Sequence, residues 1–200
     1  MGKGTLIIIS APSGTGKSTI CRKLLHRRRD LRCSVSCTTR PSRSGERDGR
    51  HYFFLTKDEF KRKIAKNEFL EWAVVHDHYY GTPRAFIESA IREGASVLLA
   101  IDVQGASAIR RKIPGSVLIF VAPPSLDSLK QRLAARREDS GSAARRLANS
   151  RGELSAAKNY DYLVVNDDLD KALSEIESIL TAESLRVSRQ ELPALSLVRA

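Results

Sequence analysis

The sequence predicts an α/β fold in which a parallel β-sheet is covered by helices on both faces. Short runs of β-branched and other apolar residues alternate with segments whose apolar residues recur at helical spacing, an order that is typical of parallel sheets. From about residue 35 to residue 81, however, extended segments follow one another without long helices between them. This second observation predicts a lobe inserted beside the main sheet.

The predicted strands are short segments rich in β-branched or aromatic residues and bounded by glycine, proline or polar residues. In chain order they are TLIII (5–9), RCSVSCTT (32–39), HYFFL (51–55), SVLLAID (96–102), SVLIFVA (116–122) and DYLVVN (161–166). The segment FLEWAVVHDHYYG is expected to be extended and loop-like. Alternation in the second strand places Cys33, Val35 and Cys37 on one buried face.

The predicted helices begin or end at residues that commonly cap helices. Thr56 and Glu59 form a capping box. Pro83 stands at a first helical position, and Gly94 follows the end of that helix. In chain order the helices run from Lys17 to about Arg28, Thr56 to near Asn67, Thr82 to Gly94, Gln104 to Lys112, Pro124 to the segment RREDSGS, about Ala143 to Asn159, and Asp168 to about Ser184.

Composition limits the classes of function. The formal net charge of +11 favours an anionic partner, which includes nucleotides, nucleic acid and acidic membrane surfaces. Cys21, Cys33 and Cys37 have neither zinc-site nor redox-pair spacing, so they are interpreted as core thiols in a reducing compartment. No apolar run approaches the roughly 20 residues of a membrane-spanning helix. We therefore expect a soluble, cytoplasmic protein with no membrane partner.

The segment SAPSGTGKST, between the first strand and the first helix, indicates a phosphate-binding loop (P-loop). Gly16, Lys17 and Ser18 match the end of the pattern G-x-x-x-x-G-K-[ST], whereas Ala11 stands where the first glycine is expected. Gly14 and Gly16 let backbone N–H groups turn toward phosphate oxygens at a helix N-terminus. Lys17 is expected to reach the β- and γ-phosphates, and the Ser18 hydroxyl to bind Mg²⁺. The loop alone does not distinguish a kinase from a hydrolase or a switch protein.

A second anion site is predicted near the start of the inserted lobe. Arg40 and Arg43 lie close together in a polar loop, and guanidinium groups bind phosphate oxygens through paired donors. Tyr52 and Tyr80 can each donate a hydroxyl group. Glu71 is an acid within an apolar segment, and a carboxylate can accept hydrogen bonds from the N1–H and N2–H groups of guanine. By spacing alone, Glu71 is equally compatible with an ordinary surface position.

The chain resembles a bacterial guanylate kinase, a P-loop nucleoside monophosphate kinase, from about Thr5 to Arg186. The motifs that carry the resemblance are SAPSGTGKST, SVSCTTRPSRSGERDGRHYFF, FLEWA, YYGT, AIDVQG, IFVAPPS and VNDDLD. This family makes GDP and ADP from GMP and ATP. The resemblance implies a P-loop core at residues 1–34 and 82–200, a small lid at about 126–155, and a mixed GMP-binding lobe at 35–81.

The resemblance also implies the ligands and the residues that bind them. ATP and GMP are the expected partners, with dGMP as a further acceptor, Mg²⁺ as the cofactor, no specific nucleic acid, and an open oligomeric state. The residues expected to bind ATP are Ala11, Pro12, Ser13, Gly14, Thr15, Gly16, Lys17, Ser18, Thr19 and Asn166, with Ser18 also at the metal. Those expected to bind GMP are Ser36, Arg40, Arg43, Tyr52, Glu71, Tyr80, Thr82 and Asp102. The expected catalytic residues are Lys17, Arg40, Arg132, Arg136 and Arg146, the last three in the lid and its hinge.

Two positions depart from the family pattern. Ala100 replaces an acid that commonly precedes Ile101-Asp102, and Arg137 replaces a glycine of the lid. Three other interpretations remain open: a non-catalytic guanylate-kinase-like binding module, a nucleic-acid-binding protein, and a related kinase for a ribose bisphosphate. The complete Gly-Lys-Ser segment opposes the first and the guanine-binding set opposes the third, while basic runs such as HRRRD support the second by composition alone.

Overall fold

The computed structural model describes residues 4–75, 77–134 and 140–190, and of residues 140–146 it describes the backbone alone. The strands are β1 (Leu6–Ser10), β2 (Leu31–Cys33), β3 (Cys37–Thr38), β4 (Phe53–Phe54), β5 (Phe69–Val75), β6 (His78–Pro83), β7 (Ser96–Ala100), β8 (Val117–Ala122) and β9 (Tyr162–Val165). The helices are α1 (Lys17–Arg27), α2 (Lys57–Ala65), α3 (Arg84–Arg92), α4 (Val103–Lys112), α5 (Leu126–Ala134), α6 (Ser140–Ser155) and α7 (Leu169–Ser184). Short 3-10 turns follow at Ala156–Asn159 and Val187–Arg189.

The strands form two sheets. Five of them make a parallel sheet in the order β2-β7-β1-β8-β9, in which β1 pairs with β7 on one side and β8 on the other. The remaining four make a mixed sheet in the order β4-β3-β6-β5, where β3 is parallel to β4 and antiparallel to β6. The predicted fold class, a parallel sheet with a separate mixed lobe, is confirmed.

The parallel sheet is buried on both faces because its central strands β7, β1 and β8 are almost entirely apolar. In β1, Ile7 and Ile9 face a core that also contains apolar residues of α1 and α7. Leu6 and Ile8 face the opposite core, to which α3 and α4 contribute. Helices therefore cover both faces, as predicted.

The mixed sheet has its own smaller core. Phe60 of α2 is fully buried and stacks on Phe69 of β5 with 4.4 Å between ring centroids. Cys37 completes the buried cluster, and Tyr79 packs against its edge. Helix α2 begins at the predicted capping box, in which Thr56 accepts a hydrogen bond from the Glu59 N–H, and the Glu59 carboxylate accepts one from the Thr56 N–H.

Four local predictions differ from the structure. The segment RCSVSCTT is not one strand, because the chain leaves the parallel sheet after Cys33 and enters the mixed sheet at Cys37. Cys33 and Cys37 consequently do not share a face: Cys37 is buried, whereas Cys33 is exposed and not a core thiol. The segment expected to be loop-like instead forms two antiparallel strands, β5 and β6, with a register shift between Phe69 and Glu71. Pro83 ends β6 and caps α3 from outside, so it is not the first residue of that helix.

The last part of the chain also differs in detail. Helix α6 begins at Ser140, earlier than expected, and the following 3-10 turn extends helical structure to Asn159 as predicted. Asp168 caps α7 by accepting a hydrogen bond from the Lys171 N–H. Within the residues that the structure describes, no helix is both long enough and apolar enough to cross a bilayer.

Candidate active site

The candidate site lies at the carboxyl edge of the parallel sheet, where open α/β sheets bind their ligands. The P-loop follows β1, Asp102 follows β7, and Asn166 follows β9. The mixed sheet approaches the same edge, since β5 packs against α4. Groups from both sheets therefore converge on one region.

Two glycines shape the P-loop. Gly14 and Gly16 have φ angles of 93° and 103°, values that side chains disfavour. A Cβ atom at position 16 would lie 2.7 Å from Asn166 Nδ2, and one at position 14 would crowd Leu133. Both glycines are therefore required by backbone conformation and by close packing, and their N–H groups precede α1 as the pattern predicts.

Lys17 and Ser18 begin helix α1. The Lys17 ammonium donates a hydrogen bond of 2.9 Å to the Ile101 carbonyl, which holds it beside the end of β7. Burial lowers the pKa of Lys17, although the negative charges of Asp102 and Glu153 act against this shift. The side chain of Ser18 is exposed in the first helical turn.

Asn166 and Arg132 hold the P-loop from its other side. The Asn166 side chain donates to the Thr15 carbonyl at 2.6 Å. Arg132 of α5 donates to the Asn166 carbonyl at 3.1 Å and to the Thr15 carbonyl at 3.5 Å. The structure thus brings both predicted residues to the loop. Arg136 and Arg137 lie outside the described residues, as does the side chain of Arg146.

A cavity of about 150 Å³ separates the P-loop from the mixed sheet. Six predicted site residues line it: Lys17, Ser36, Tyr52, Glu71, Tyr80 and Asp102. Ala100, which stands where the resemblance implies an acid, ends β7 and lines the same cavity as Lys17. The predicted residues come from segments that are far apart in sequence, and the fold collects them around one space.

Glu71 is the buried acid of this cavity. It is only 5 % exposed, and the Thr82 hydroxyl donates to its Oε1 at 2.5 Å. Gly105 of α4 passes so close that a Cβ there would lie 2.9 Å from Glu71 Oε2. Burial raises the pKa of Glu71 to about 7; Asp102 adds to the increase, and the Thr82 hydrogen bond opposes it. The carboxyl group can therefore change its ionisation near neutral pH.

Asp102 supplies a second carboxylate on the same wall. Its Oδ1 accepts hydrogen bonds from the Gln104 and Gly105 N–H groups at 2.8 Å and 3.0 Å, so the residue caps α4. These contacts fix the carboxylate at the helix N-terminus, and both capping hydrogen bonds go to Oδ1, not to Oδ2. Asp102 can therefore accept a further donor without losing its structural contacts.

Of the predicted phosphate-binding residues, Tyr52 and Tyr80 line this cavity, and Arg40 lies beside Tyr52. The Arg40 guanidinium lies 5.6 Å from the centroid of the Tyr52 ring, and the Tyr52 and Tyr80 rings meet edge to face. The Arg43 side chain is exposed. This group combines one fixed cation, one exposed cation and two phenolic hydroxyls.

The sequence analysis missed two acids near these groups. Glu46 accepts hydrogen bonds from the Arg40 side chain. In the sequence it is one of several charged residues of a polar loop, so nothing distinguishes it from a surface acid. Glu153 of α6 lines a cavity of about 480 Å³ with Ser13 and Asp102. Burial raises the pKa of Glu153, against the effects of Lys17 and of a hydrogen bond with the Ser13 backbone. Spacing along the chain gave no signal for either contact.

A P-loop beside a cavity that Lys17, Glu71 and Asp102 line, with Arg40 packed against Tyr52 of the same cavity, is the arrangement expected of the class of P-loop nucleoside monophosphate kinases. Comparisons with known proteins identify the family within this class. The family model for guanylate kinase matches residues 3–183. The guanylate kinase of Symbiobacterium thermophilum is 50% identical over 188 residues, which cover 94% of this chain and 89% of that protein.

Other relatives agree. The guanylate kinase of Caldanaerobacter subterraneus subsp. tengcongensis is 46% identical over 190 residues, covering 94% of this chain and 92% of that protein. The crystal structure of guanylate kinase from Anaplasma phagocytophilum superposes with a TM-score of 0.82 at 34% identity, covering 95% of this chain and 91% of that one. The chain belongs to the guanylate kinase family.

Proposed function

We propose that this chain transfers the terminal phosphoryl group of ATP to GMP, giving ADP and GDP. The observation that carries the proposal is the cavity in which Lys17 of the P-loop faces Glu71 and Asp102. This cavity places the loop that would bind the triphosphate near two carboxylates that can accept hydrogen bonds from the N–H groups of guanine. The family membership supports the same activity.

Recognition of guanine follows from the donors and acceptors in this cavity. Guanine presents N1–H and N2–H donors, and ionised Glu71 and Asp102 offer only acceptors at the corresponding wall. Adenine has no donor at N1, so the same carboxylates would face its lone pair. The Ser36 hydroxyl on the cavity wall can donate to the O6 acceptor of guanine. We assign the base to these three residues.

The phosphate of GMP is assigned to Arg40, Arg43, Tyr52 and Tyr80. A phosphate acceptor is already an anionic nucleophile, so the reaction needs no general base and depends on alignment and charge neutralisation. Lys17, at the head of α1, would neutralise the donor phosphates. Arg132 already contacts the P-loop through the Thr15 carbonyl and is positioned to turn toward the transferring group.

The family implies Mg²⁺ with ATP, and the residues present are compatible with it. The Ser18 hydroxyl is exposed at the helix N-terminus, and Mg²⁺ typically takes one or two protein ligands together with phosphates and water. Among the described residues, no cluster of three or more His, Cys, Asp or Glu could bind a metal alone. When bound, Mg²⁺ neutralises charge on the phosphates of ATP.

The division into core, lobe and lid remains part of the proposal. Helices α5 and α6 fall within the predicted lid, and Arg136 and Arg146 are assigned to it from the resemblance. Closing such a lid over both nucleotides would exclude water and suppress hydrolysis of ATP. A cytoplasmic location and the absence of membrane or specific nucleic-acid partners likewise stay predictions.

A coupled assay tests the proposal. ADP formation should be measured with ATP and Mg²⁺ against GMP, dGMP, AMP, CMP and UMP under the same conditions. We expect turnover with GMP, and weaker turnover with dGMP, to exceed that with every other acceptor. A clear preference for a non-guanine nucleotide would overturn the proposal, and a failure to bind ATP would indicate a non-catalytic binding module.

A further inference from the structure

The loop between β3 and β4 contains an ion pair that the proposed reaction does not itself require. The two oxygens of Glu46 accept hydrogen bonds from Arg40 Nη2 at 2.9 Å and 3.0 Å. Oε2 also accepts from the Arg43 N–H at 2.7 Å. One carboxylate therefore contacts both of the arginines assigned to the acceptor phosphate, through a side chain in one case and the backbone in the other.

This pair differs from an ordinary surface salt bridge. Exposed pairs contribute little to stability because solvent screens them and both side chains lose freedom. Here the side chains of Arg40 and Glu46 are only 12% and 20% exposed. Partial burial opposes ionisation of Glu46, yet the hydrogen bonds from Arg40 and Arg43 bring its pKa below the ordinary value. The carboxylate is thus stabilised in its charged form.

The contact also leaves Arg40 able to bind a ligand. A guanidinium group has five N–H donors. Nη1 donates to the Pro41 carbonyl at 2.6 Å, and Nη2 donates to both oxygens of Glu46. At least one donor remains free on the group. Glu46 and Pro41 therefore fix the orientation of the guanidinium without consuming it.

The carboxylate itself has little freedom to leave. The Glu46 N–H donates to the Arg43 carbonyl at 3.0 Å, which closes a tight turn, and the Arg43 N–H is held by the Glu46 side chain. Moving the carboxylate away would break contacts within its own turn as well as the pair with Arg40. A fixed role is therefore favoured over one in which Glu46 occupies the phosphate position and departs when GMP arrives.

We propose that Glu46 is a positioning residue for the acceptor phosphate, acting through Arg40 and the turn that carries Arg43. The inference rests on the assignment of GMP as the acceptor. Its role is preorganisation: the arginine is held in place before the phosphate arrives, so less rotamer freedom is lost on binding. Glu46 does not contact the reacting atoms in this scheme.

The test compares Glu46→Gln with the wild-type protein. Loss of the charge-assisted hydrogen bonds should raise the Kd for GMP about tenfold. The Kd for guanosine, which lacks the phosphate, should not change, nor should the KM for ATP or kcat at saturating GMP. Glu68→Gln is the matched control, because Glu68 pairs with Lys63 on the same lobe and is exposed. Glu68→Gln should leave all these values unchanged.

A double-mutant cycle shows whether Glu46 acts through Arg40. In an Arg40→Ala background, Glu46→Gln should weaken GMP binding much less than in the wild-type protein, because only the contact with the Arg43 N–H remains to be lost; independent, multiplying effects would overturn the proposal. Unchanged or tighter binding of GMP by Glu46→Gln would also overturn the proposal, and tighter binding would show that the Glu46 carboxylate competes with the phosphate for Arg40.

If Glu46→Gln does not fold, as judged by thermal unfolding, Glu46→Asp keeps the charge and should show the same selective loss for GMP over guanosine. Failure of the wild-type protein to bind GMP would instead refute the proposed function.

Discussion

The donor and acceptor halves of the site are built on unequal supports. The P-loop follows the central strand of a five-stranded sheet with a core on each face. The acceptor residues other than Asp102 belong to the lobe of the four-stranded sheet, whose core cluster contains three buried residues among those described. In the proposed site the first half would bind mainly through backbone groups of one contiguous loop, whereas the second would use side chains spread between Ser36 and Asp102. Because the donor half is one contiguous loop, it can be predicted from sequence more readily than the acceptor half. Because the core of the mixed sheet is small, the acceptor half should be easier to destabilise.

The largest effect is expected on the donor half. Lys17→Met should lower kcat by about a thousandfold, because it removes the cation beside the transferring phosphate while keeping a chain of similar length. Steady-state kinetics with ATP and GMP measure the loss.

Lys23→Met is the control for this change. Lys23 lies on the same helix but is partly exposed, with a distant ionic contact of 3.8 Å to Asp170. It should retain normal turnover. A near-normal kcat for Lys17→Met would contradict the assignment of the P-loop.

A large effect on folding is expected in the acceptor half. Phe60→Ala removes the central ring of the small core and should lower the free energy of unfolding by about 3–5 kcal/mol. Since the P-loop rests on other cores, ATP binding should survive conditions in which GMP binding is lost. Denaturant unfolding and separate titrations with the two nucleotides measure this difference.

The control removes an aromatic ring from the surface of the same lobe. Phe53 is 41% exposed, so Phe53→Ala should change stability far less than Phe60→Ala. Equal losses of ATP and GMP binding in Phe60→Ala would show that the two halves unfold together and that their supports are not separable.

The two halves also differ in how far sequence could predict them. The P-loop is contiguous, and its residue types follow from the backbone conformations they must adopt, as Gly14 and Gly16 show. The acceptor cavity depends on contacts between distant segments, so Glu71 was indistinguishable from a surface acid until Thr82 and Gly105 were seen against it. The resemblance supplied these residues; the spacing of the chain did not.

Local patterns failed where the chain passes from one sheet to the other. The alternation in RCSVSCTT is genuine, but it cannot show that Ser34, Val35 and Ser36 leave one sheet for another. Periodicity describes which residues share a face only while a strand continues. The exposed position of Cys33 and the hydrogen bonds of Glu46 both depend on turns whose geometry is set by tertiary contacts.

A smaller effect is expected from Glu71→Gln, which changes selectivity within the acceptor half. Glutamine replaces one carboxylate oxygen by an NH2 donor, so one of the two guanine donors, N1–H or N2–H, would face a donor in place of an acceptor. The KM for GMP should rise about 10- to 100-fold. The kcat/KM for IMP, which lacks the N2 amino group, should decrease less than the kcat/KM for GMP. The ratio of kcat/KM for GMP to that for IMP should therefore fall. An unchanged ratio would sink the proposed role of Glu71.

The smallest predicted effect is a pH dependence of GMP binding. Because burial raises the pKa of Glu71 to about 7, the carboxylate that accepts from guanine is mostly present at pH 8. At pH 6 only about a tenth of it is ionised, so the KM for GMP should rise by up to about tenfold between pH 8 and pH 6. The phosphate of GMP also titrates in this range, so the profile must be compared with that of Glu71→Gln, which should be flatter.

Folding should respond to the same ionisation with the opposite sign. The unfolded chain ionises Glu71 near its ordinary pKa of 4.5, whereas the folded protein retains the proton up to about pH 7. The folded state binds more protons than the unfolded state between these pH values. The contribution of Glu71 to the free energy of unfolding is therefore complete below pH 4.5 and is lost as the pH rises through 7. The free energy of unfolding of the wild-type protein should therefore fall relative to Glu71→Gln over this range. If unfolding titrations of the two proteins run parallel, Glu71 does not carry the raised pKa, and the pH dependence of GMP binding must come from the phosphate alone.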